Sequence, residues 1–308
     1  MEQFEYKNEQ LKNYLNSKSC FKLICGANNE DYSEIASIVK LYHQAGARFF
    51  DINASKIAID ACKKAVNNDK NSFICVSIGT KNDPHMSKCK INSNCILCKK
   101  CIDICPQSAI VFENSIVIKE KKCIGCKKCQ SVCKNNSIES YQKEIQIDKL
   151  FDEIKVADCI EFHIITDDIR DIFEKWEYLV KNYKGFLSIA LNRSLFSDKI
   201  MFDILSKMLN MAKNNYVMIQ ADGKSMSGGI DDYNSTLQAV ATADILRKSG
   251  FSVPIIISGG TNSKSFELSK LCNVDINGVA VGSYARYIIK NSSDPINEAK
   301  ELILSCVK

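Results

Sequence analysis

The sequence predicts an α/β fold, a (β/α)8 TIM-like barrel interrupted by one small inserted domain. Three observations carry that prediction. Eight short apolar runs alternate with stretches of helical periodicity along the 308 residues. The alternation breaks once, between Lys81 and Tyr141. Inside the break, eight cysteines fall into two runs of one spacing, CxxCxxCxxxC, at Cys95 to Cys105 and Cys123 to Cys133. The expected boundaries are 19–80 and 142–308 for the barrel, and 81–141 for the insertion.

The elements follow in order. Residues before Ser19 read as a polar amphipathic helix. Phe21 to Ala27 (FKLICGA) is a first apolar strand, Ala47 to Ala54 a second and Phe73 to Gly79 a third. Helices are expected between them at Tyr32 to Ala45 and Ser55 to Asn67. Ile35, Ile38, Val39 and Tyr42 share one face of the former, and Gly46 stops it. The strands are nearly continuous apolar runs, as buried parallel strands are. Within the insertion, Phe112 to Ile118 (FENSIVI) reads as a hairpin between the cysteine runs. Beyond it, strands are expected at Cys159 to Ile164, Phe186 to Leu191, Tyr216 to Ala221, Val253 to Ser258 and Gly278 to Val281. Helices fall at 147–156, 167–183, 198–212, 234–248, 263–271 and 284–290, with a last one at 295–306. The competing topology is an open doubly wound sheet. It would want GxGxxG after the first strand, and CGANNED is not that. The insertion then occupies the third β/α connection, on the C-terminal face where barrel active sites sit.

The paired cysteine runs match a bacterial-type ferredoxin domain carrying two [4Fe-4S] clusters. Corner irons prefer soft thiolates, one each. Two-residue spacings bring three thiolates onto one cubane, and the fourth cysteine of each run serves the other cluster. Cys95, Cys98 and Cys101 are therefore expected to hold one cluster with Cys133. Cys123, Cys126 and Cys129 are expected to hold the other with Cys105. Ile96, Ile102, Ile104, Ile110 and Ile124 stand ready to shield the clusters, and Gly125 to let backbone N–H groups approach the sulfurs. Zinc sites use CxxC-like pairs rather than two matched groups of four. Pro106 follows Cys105 but Lys134 follows Cys133; the proline shapes a turn and is not a ligand.

Composition fits this reading. Apolar residues are 45%, charged residues 25%, and prolines number 4, as in a folded soluble chain. No run of eighteen apolar residues occurs, so no membrane span is expected. The N-terminal stretch lacks a basic region followed by an apolar one, so no secretory signal is expected and a reducing, cytoplasmic setting follows. Such a setting disfavours disulfides among the 16 cysteines. Those outside the runs (Cys20, Cys25, Cys62, Cys75, Cys89, Cys159, Cys272 and Cys306) read mostly as small core hydrophobes. Between Lys81 and Lys143 twelve lysines face five acids, a surplus that two clusters would partly cancel. Lys99, Lys100, Lys127 and Lys128 suit an acidic protein donor. Without aromatic interleaving or a recognition motif, nucleic-acid binding is not expected.

Polar residues gather at the strand ends. IIISGGTNS, then GVAVGSYAR, place Gly259, Gly260, Gly282 and Ser283 where barrels cradle phosphate, with Arg286 nearby. A phosphate-bearing ligand is the expectation there, flavin mononucleotide (FMN) foremost, because flavin couples one-electron clusters to two-electron chemistry. The loop QADGKSMSGGIDD offers Asp222 as an acceptor or base, Lys224 for an anion and Ser227 for a hydrogen bond. Asp51, Asn53, Ser77, His163, Asn192 and Arg193 also end strands or follow them. Glu161 beside His163 suggests a structural pair, and Cys25 a buried inert thiol. Asp83, His85 and Cys89 are expected to seat the insertion rather than bind metal.

On these residues the chain resembles the light-dependent period protein family. The shared features are the opening CGA, DPH at Asp83 to His85, the ferredoxin insertion, DGKSMSG at Asp222 to Gly228, and SGGTN at Ser258 to Asn262. The resemblance implies an iron-sulfur protein that reports cellular redox state to a circadian oscillator, with the eight cluster cysteines as sensing groups. It also maps onto Asp222, Gly223, Met226, Ser227, Gly228, Gly259, Gly260, Thr261 and Asn262. Two readings stand side by side: an electron-transfer or redox-sensing protein acting through a protein partner, and a flavin-dependent barrel oxidoreductase fed by the clusters. No unambiguous acid-base pair or nucleophile constellation supports the latter. A radical S-adenosylmethionine enzyme would need a CxxxCxxC run that the chain lacks.

Overall fold

The computed structural model describes residues 2–26, 28–81, 83, 87–142, 146–223, 233–290 and 292–307. The chain opens with α1 (Glu2–Asn16) and then alternates: β1 (Cys20–Ile24), α2 (Tyr32–Gln44), β2 (Phe49–Asn53), α3 (Lys56–Ala65), β3 (Phe73–Gly79). The insert follows with β4 (Ser87–Ile91), α4 (Lys100–Asp103), β5 (Ile110–Glu113), β6 (Ser115–Ile118), α5 (Lys128–Ser131) and β7 (Ile138–Gln142). Alternation resumes with α6 (Ile147–Ile154), β8 (Cys159–Ile164), α7 (Ile169–Asn182), β9 (Phe186–Asn192), α8 (Asp198–Met211), β10 (Val217–Asp222) and α9 (Tyr233–Lys248). It ends with β11 (Ile255–Ser258), α10 (Ser265–Leu271), β12 (Gly278–Val281), α11 (Ser283–Lys290) and α12 (Pro295–Ser305).

The eight strands outside the insert close a parallel barrel in chain order, with β12 returning to pair β1. Asp31, Ser55, Asp168 and Ser197 cap α2, α3, α7 and α8, each side chain accepting from a first-turn N–H. Strand alternation sorts the side chains. Phe21, Leu23, Phe50, Ile52, Ile160 and Phe162 face the helices in the main apolar core. The opposite faces fill the barrel. At its N-terminal end Cys20, Phe49, Phe73, Phe186 and Met218 form an apolar layer, closed from below by Leu11 and Leu15 of α1. The N-terminal helix is thus a plug, held by Asn277 Nδ2 donating to Leu15 O at 3.0 Å.

The insert leaves the barrel after β3, at the C-terminal rim. The expected hairpin is there as β5 and β6. The β4–β7 pair, antiparallel with Cys89 opposite Ser140, was not legible as strands. It forms the stem that carries the insert.

Candidate metal centre and barrel mouth

The two cysteine runs fold as near copies. Lys99 and Lys127, each just before a one-turn helix, have φ of 63° and 59°. Ser108 and Asn136, three residues after each fourth cysteine, have φ of 49° and 48°. Ala109 N donates to Cys105 Sγ at 3.3 Å, and Ser137 N to Cys133 Sγ at 3.3 Å. These are N–H···S bonds of the kind that tune cluster sulfurs.

The thiols separate into two cavities. Cys95, Cys98, Cys101 and Cys133 line one of about 120 Å³. Cys105, Cys123, Cys126 and Cys129 line another of about 20 Å³, joined by Cys89. Each cavity draws three thiols from one run and the fourth from the other, a donor set that fits an iron-sulfur cubane. The apolar wall differs in part from expectation. Ile110, Ile116, Ile124 and Ile138 are buried; Ile96 lines the first cavity although it is 66% exposed, and Ile104, 40% exposed, lines neither cavity. Gly125 has a further reason to be glycine: a Cβ there would lie 2.2 Å from Ser87 O.

The second cavity abuts the barrel. Lys88, fully buried, donates from Nζ to the carbonyls of Asn28 (2.7 Å), Glu120 (3.0 Å) and Cys123 (2.9 Å). Asn28 Nδ2 donates to Ser87 O, and Glu30 N to Lys121 O at 2.7 Å. The loop after β1 is thereby fastened to the loop that supplies Cys123.

Above its apolar layer the barrel holds a polar column. Lys22, fully buried on β1, donates to Asp51 Oδ2 at 2.9 Å, to Gln220 Oε1 at 3.0 Å and to Glu161. All three ammonium protons are used. Glu161 also accepts from Ser188 Oγ at 3.1 Å, Gln220 Nε2 at 3.0 Å and His163 Nε2 at 2.6 Å. Ser77 Oγ donates to Asp51 at 2.7 Å. Burial opposes the charge on Glu161, but Lys22 and His163 outweigh it and hold the carboxyl well below its ordinary range. Burial pushes Asp51 up to about 6 against the pull of Lys22. Burial likewise opposes the charge on His163, yet Glu161, Asp83 and Asp222 raise it to about 9. Ligand atoms of Asp51, Cys75 and Glu161 lie within 4.8 Å of one another, as a metal site requires, but the two carboxylates are already paired with the Lys22 ammonium and with His163.

The comparisons with known proteins bear on both regions. The description "Light dependent period A C-terminal domain" matches residues 152–304, and "4Fe-4S dicluster domain" matches residues 94–137. The chain belongs to the light dependent period family. It is an iron-sulfur protein. Residues 6–98 of this family member also match a "Protein of unknown function (DUF561)". No curated protein matches the sequence. Similar solved structures include a truncated 3-deoxy-D-arabino-heptulosonate 7-phosphate synthase from Thermotoga maritima, 12% identical with TM-score 0.46, over 93% of this chain and 85% of that one. Another is (S)-3-O-geranylgeranylglyceryl phosphate synthase from Thermoplasma acidophilum, 12% identical with TM-score 0.45, over 96% of each chain. A third is tryptophan synthase from M. tuberculosis, 10% identical with TM-score 0.46, over 97% of this chain and 99% of that one. The barrel assignment rests on the closed strand order itself.

The family member's other expected site residues divide. Asp51, Ser77, His163 and Asp222 come together around the polar column, with Gln220 Nε2 3.4 Å from Asp222 Oδ1. Gly259 and Gly260 follow β11 with φ of 75° and 79°, and their carbonyls accept from Ser235 and Thr236 of α9. Gly282 follows β12, and Ser283 begins α11. Arg286 is held at the rim by Ile24 O at 2.6 Å and Ser283 Oγ at 3.4 Å. Asn53 ends β2 as a buried residue, and Asn192 ends β9. Arg193 does not join them: it forms a forked pair with Asp198 at 2.8 and 2.9 Å on the surface. Cys25 is buried in the helix-facing core. Asp83 tucks against Gly79, where a Cβ would lie 1.9 Å from its Oδ2. His85, Lys224, Met226, Ser227 and Gly228 lie outside the described residues. Sequence reasoning missed Lys22, Ser188 and Gln220. The signal was present in FKLI, where Lys22 alternates with Phe21 and Leu23 and must therefore point inward.

Proposed function

We propose that the chain is an electron-transfer or redox-sensing protein carrying two [4Fe-4S] clusters and signalling through a protein partner. The observation that carries this reading is the four-and-four partition of thiols with the fourth crossing over. In this reading Cys95, Cys98, Cys101 and Cys133 hold one cluster, and Cys105, Cys123, Cys126 and Cys129 the other. A [4Fe-4S] cluster, when bound, supplies one-electron transfer. Cys98 and the exposed Lys99, Lys100 and Lys134 give the first site a face for an acidic partner. Lys88 and Asn28 tie the second site to the barrel rim, so its charge state is felt at the loop after β1. Anaerobic purification followed by metal analysis tests the proposal. About eight irons per chain are expected. About four irons, or zinc in their place, would refute it.

A second reading is favoured by the polar column. His163, Glu161 and Lys22 form a proton-bearing chain that ends at the rim from which the insert departs. This suits an oxidoreductase in which His163 and Asp222 face a flavin or other phosphate-bearing ligand, cradled by Gly259, Gly260, Gly282 and Ser283. Mass analysis of small molecules released from the purified protein, and titration with FMN, separate the readings. Clusters without any released or titratable ligand leave the sensor alone.

A further inference from the structure

The insert holds nine cysteines, and the two ligand runs use eight. The ninth, Cys89, sits at the middle of β4. Alternation along the strand turns Cys89 and Ile91 into the insert, with Lys90 exposed between them. The two inward residues meet different cavities: Ile91 lines the first and Cys89 the second. The Cys89 thiol is buried, packs in one cluster with Cys123 and Cys129, and lines the same cavity as both. The second cavity is therefore lined by five thiols, the first by four.

We propose that Cys89 is a reserve ligand of the second iron-sulfur site, able to take the place of Cys123 or Cys129 on iron. This rests on the two-cluster reading above. Two features of the chain make the exchange local. The stem pairing of β4 with β7 fixes the Cys89 backbone at the cavity wall, and the thiol already shares that cavity with the two sulfurs it would replace. In the exchange a bond from iron to Cys89 sulfur forms as the bond to Cys129 sulfur breaks. The Cys89 thiol proton passes to the departing Cys129 thiolate. Iron keeps its oxidation state, and no outside oxidant or reductant is required. The first site has isoleucine at the matching place and no such substitute, so it alone is lost when one of its ligands is damaged.

The test uses the full chain, purified without oxygen and without added thiols. Native mass spectrometry reads iron and sulfide per chain, and electron paramagnetic resonance of the reduced protein reads each site. Cys129→Ala is expected to keep two four-iron clusters, with the second signal shifted. Cys89→Ala combined with Cys129→Ala is expected to keep the first cluster and to hold at most three irons at the second site. The pair Cys123→Ala and Cys89→Ala with Cys123→Ala repeats the test at the other neighbour. An unchanged first-site signal in each variant verifies that the insert has folded. If the single and double variants lose the second cluster alike while the wild type holds two, the reserve role is refuted and the two-cluster reading stands. If the wild type itself holds one cluster, the parent reading fails and this proposal with it.

Discussion

The first cavity of the insert opens beside exposed Lys99, Lys100 and Lys134, with Cys98 exposed, whereas the second has no exposed thiol and is backed by β4, which is fastened to the barrel's first loop. Their ligand loops share backbone conformation down to the left-handed lysines. Their surroundings do not match. Leu97 occupies in the first loop the place that Gly125 holds in the second, both with positive φ. Leu97 is 44% exposed, while Gly125 is pressed against Ser87 O. The first cavity has the Ser137 hydroxyl, buried with no partner among the described residues, where the second has Ala109. The second has the Cys89 thiol and, behind it, the Lys88 ammonium. Equal ligation in unequal settings separates potentials, because solvent exposure, nearby charge and hydrogen bonds to sulfur tune them. In the proposed reading, the site with the exposed thiol is the one that exchanges electrons with a partner, and the other is the one that communicates with the barrel.

Four measurements can break or sharpen that contrast. The largest effect belongs to a reference outside both cavities. Lys22→Met leaves the buried Asp51 carboxylate without its counter-ion beside Glu161, which keeps only His163, and should cost about 4 kcal/mol of stability by chemical denaturation. Folded Lys22→Met protein should keep the iron content of both sites. Lys88→Met orphans three carbonyls at the seam and should cost about 3 kcal/mol. It should also lower the potential of the second site and leave the first unchanged; equal shifts at both would sink the contrast.

A pH series isolates the barrel contribution. His163, ordinarily near 6.5, is raised to about 9 in the folded chain. Its stabilisation is complete below about pH 6.5 and fades as pH rises through 9. His163→Gln should flatten that part of the stability profile, and NMR should show the wild-type imidazole titrating near the upper value. The smallest effect is expected from Ser137→Ala. The variant removes a buried hydroxyl that has no partner among the described residues, so stability should change by less than about 1 kcal/mol while the first site's spectroscopic signal shifts and the second site's does not. A shift at the second site instead would reverse the assignment of the two cavities.

Much of the architecture was legible in the sequence. The eight barrel strands fall within a few residues of their expected places, because buried parallel strands write themselves as apolar runs between helical periods. The cavities group Cys133 with the thiols of the first run and Cys105 with those of the second, the grouping that the spacing predicts. The stem was not: Ser87 to Ile91 mixes buried Lys88 with exposed Lys90, so neither a strand period nor a burial pattern stands out. Ile104 lines neither cavity, because apolarity near a ligand run does not say which side faces the thiols. The inward direction of Lys22 was readable from its alternation with Phe21 and Leu23, but only the closed barrel reveals the two carboxylates that make its burial tolerable.

By itself, the sequence determined the chemistry that short-range geometry can express. Cysteines with two residues between them converge wherever the loop is folded, and alternation of apolar runs with helical periods leaves few ways to bury both. The tertiary structure alone decided what surrounds those groups. Asn28 meets Ser87 across 59 residues, and Lys22 meets Glu161 across 139, so nothing local in the chain announces either contact. Burial, charge compensation and the inequality of the two cavities all arise from such distant pairs, since the field at a site is set by whichever residues the fold brings near it.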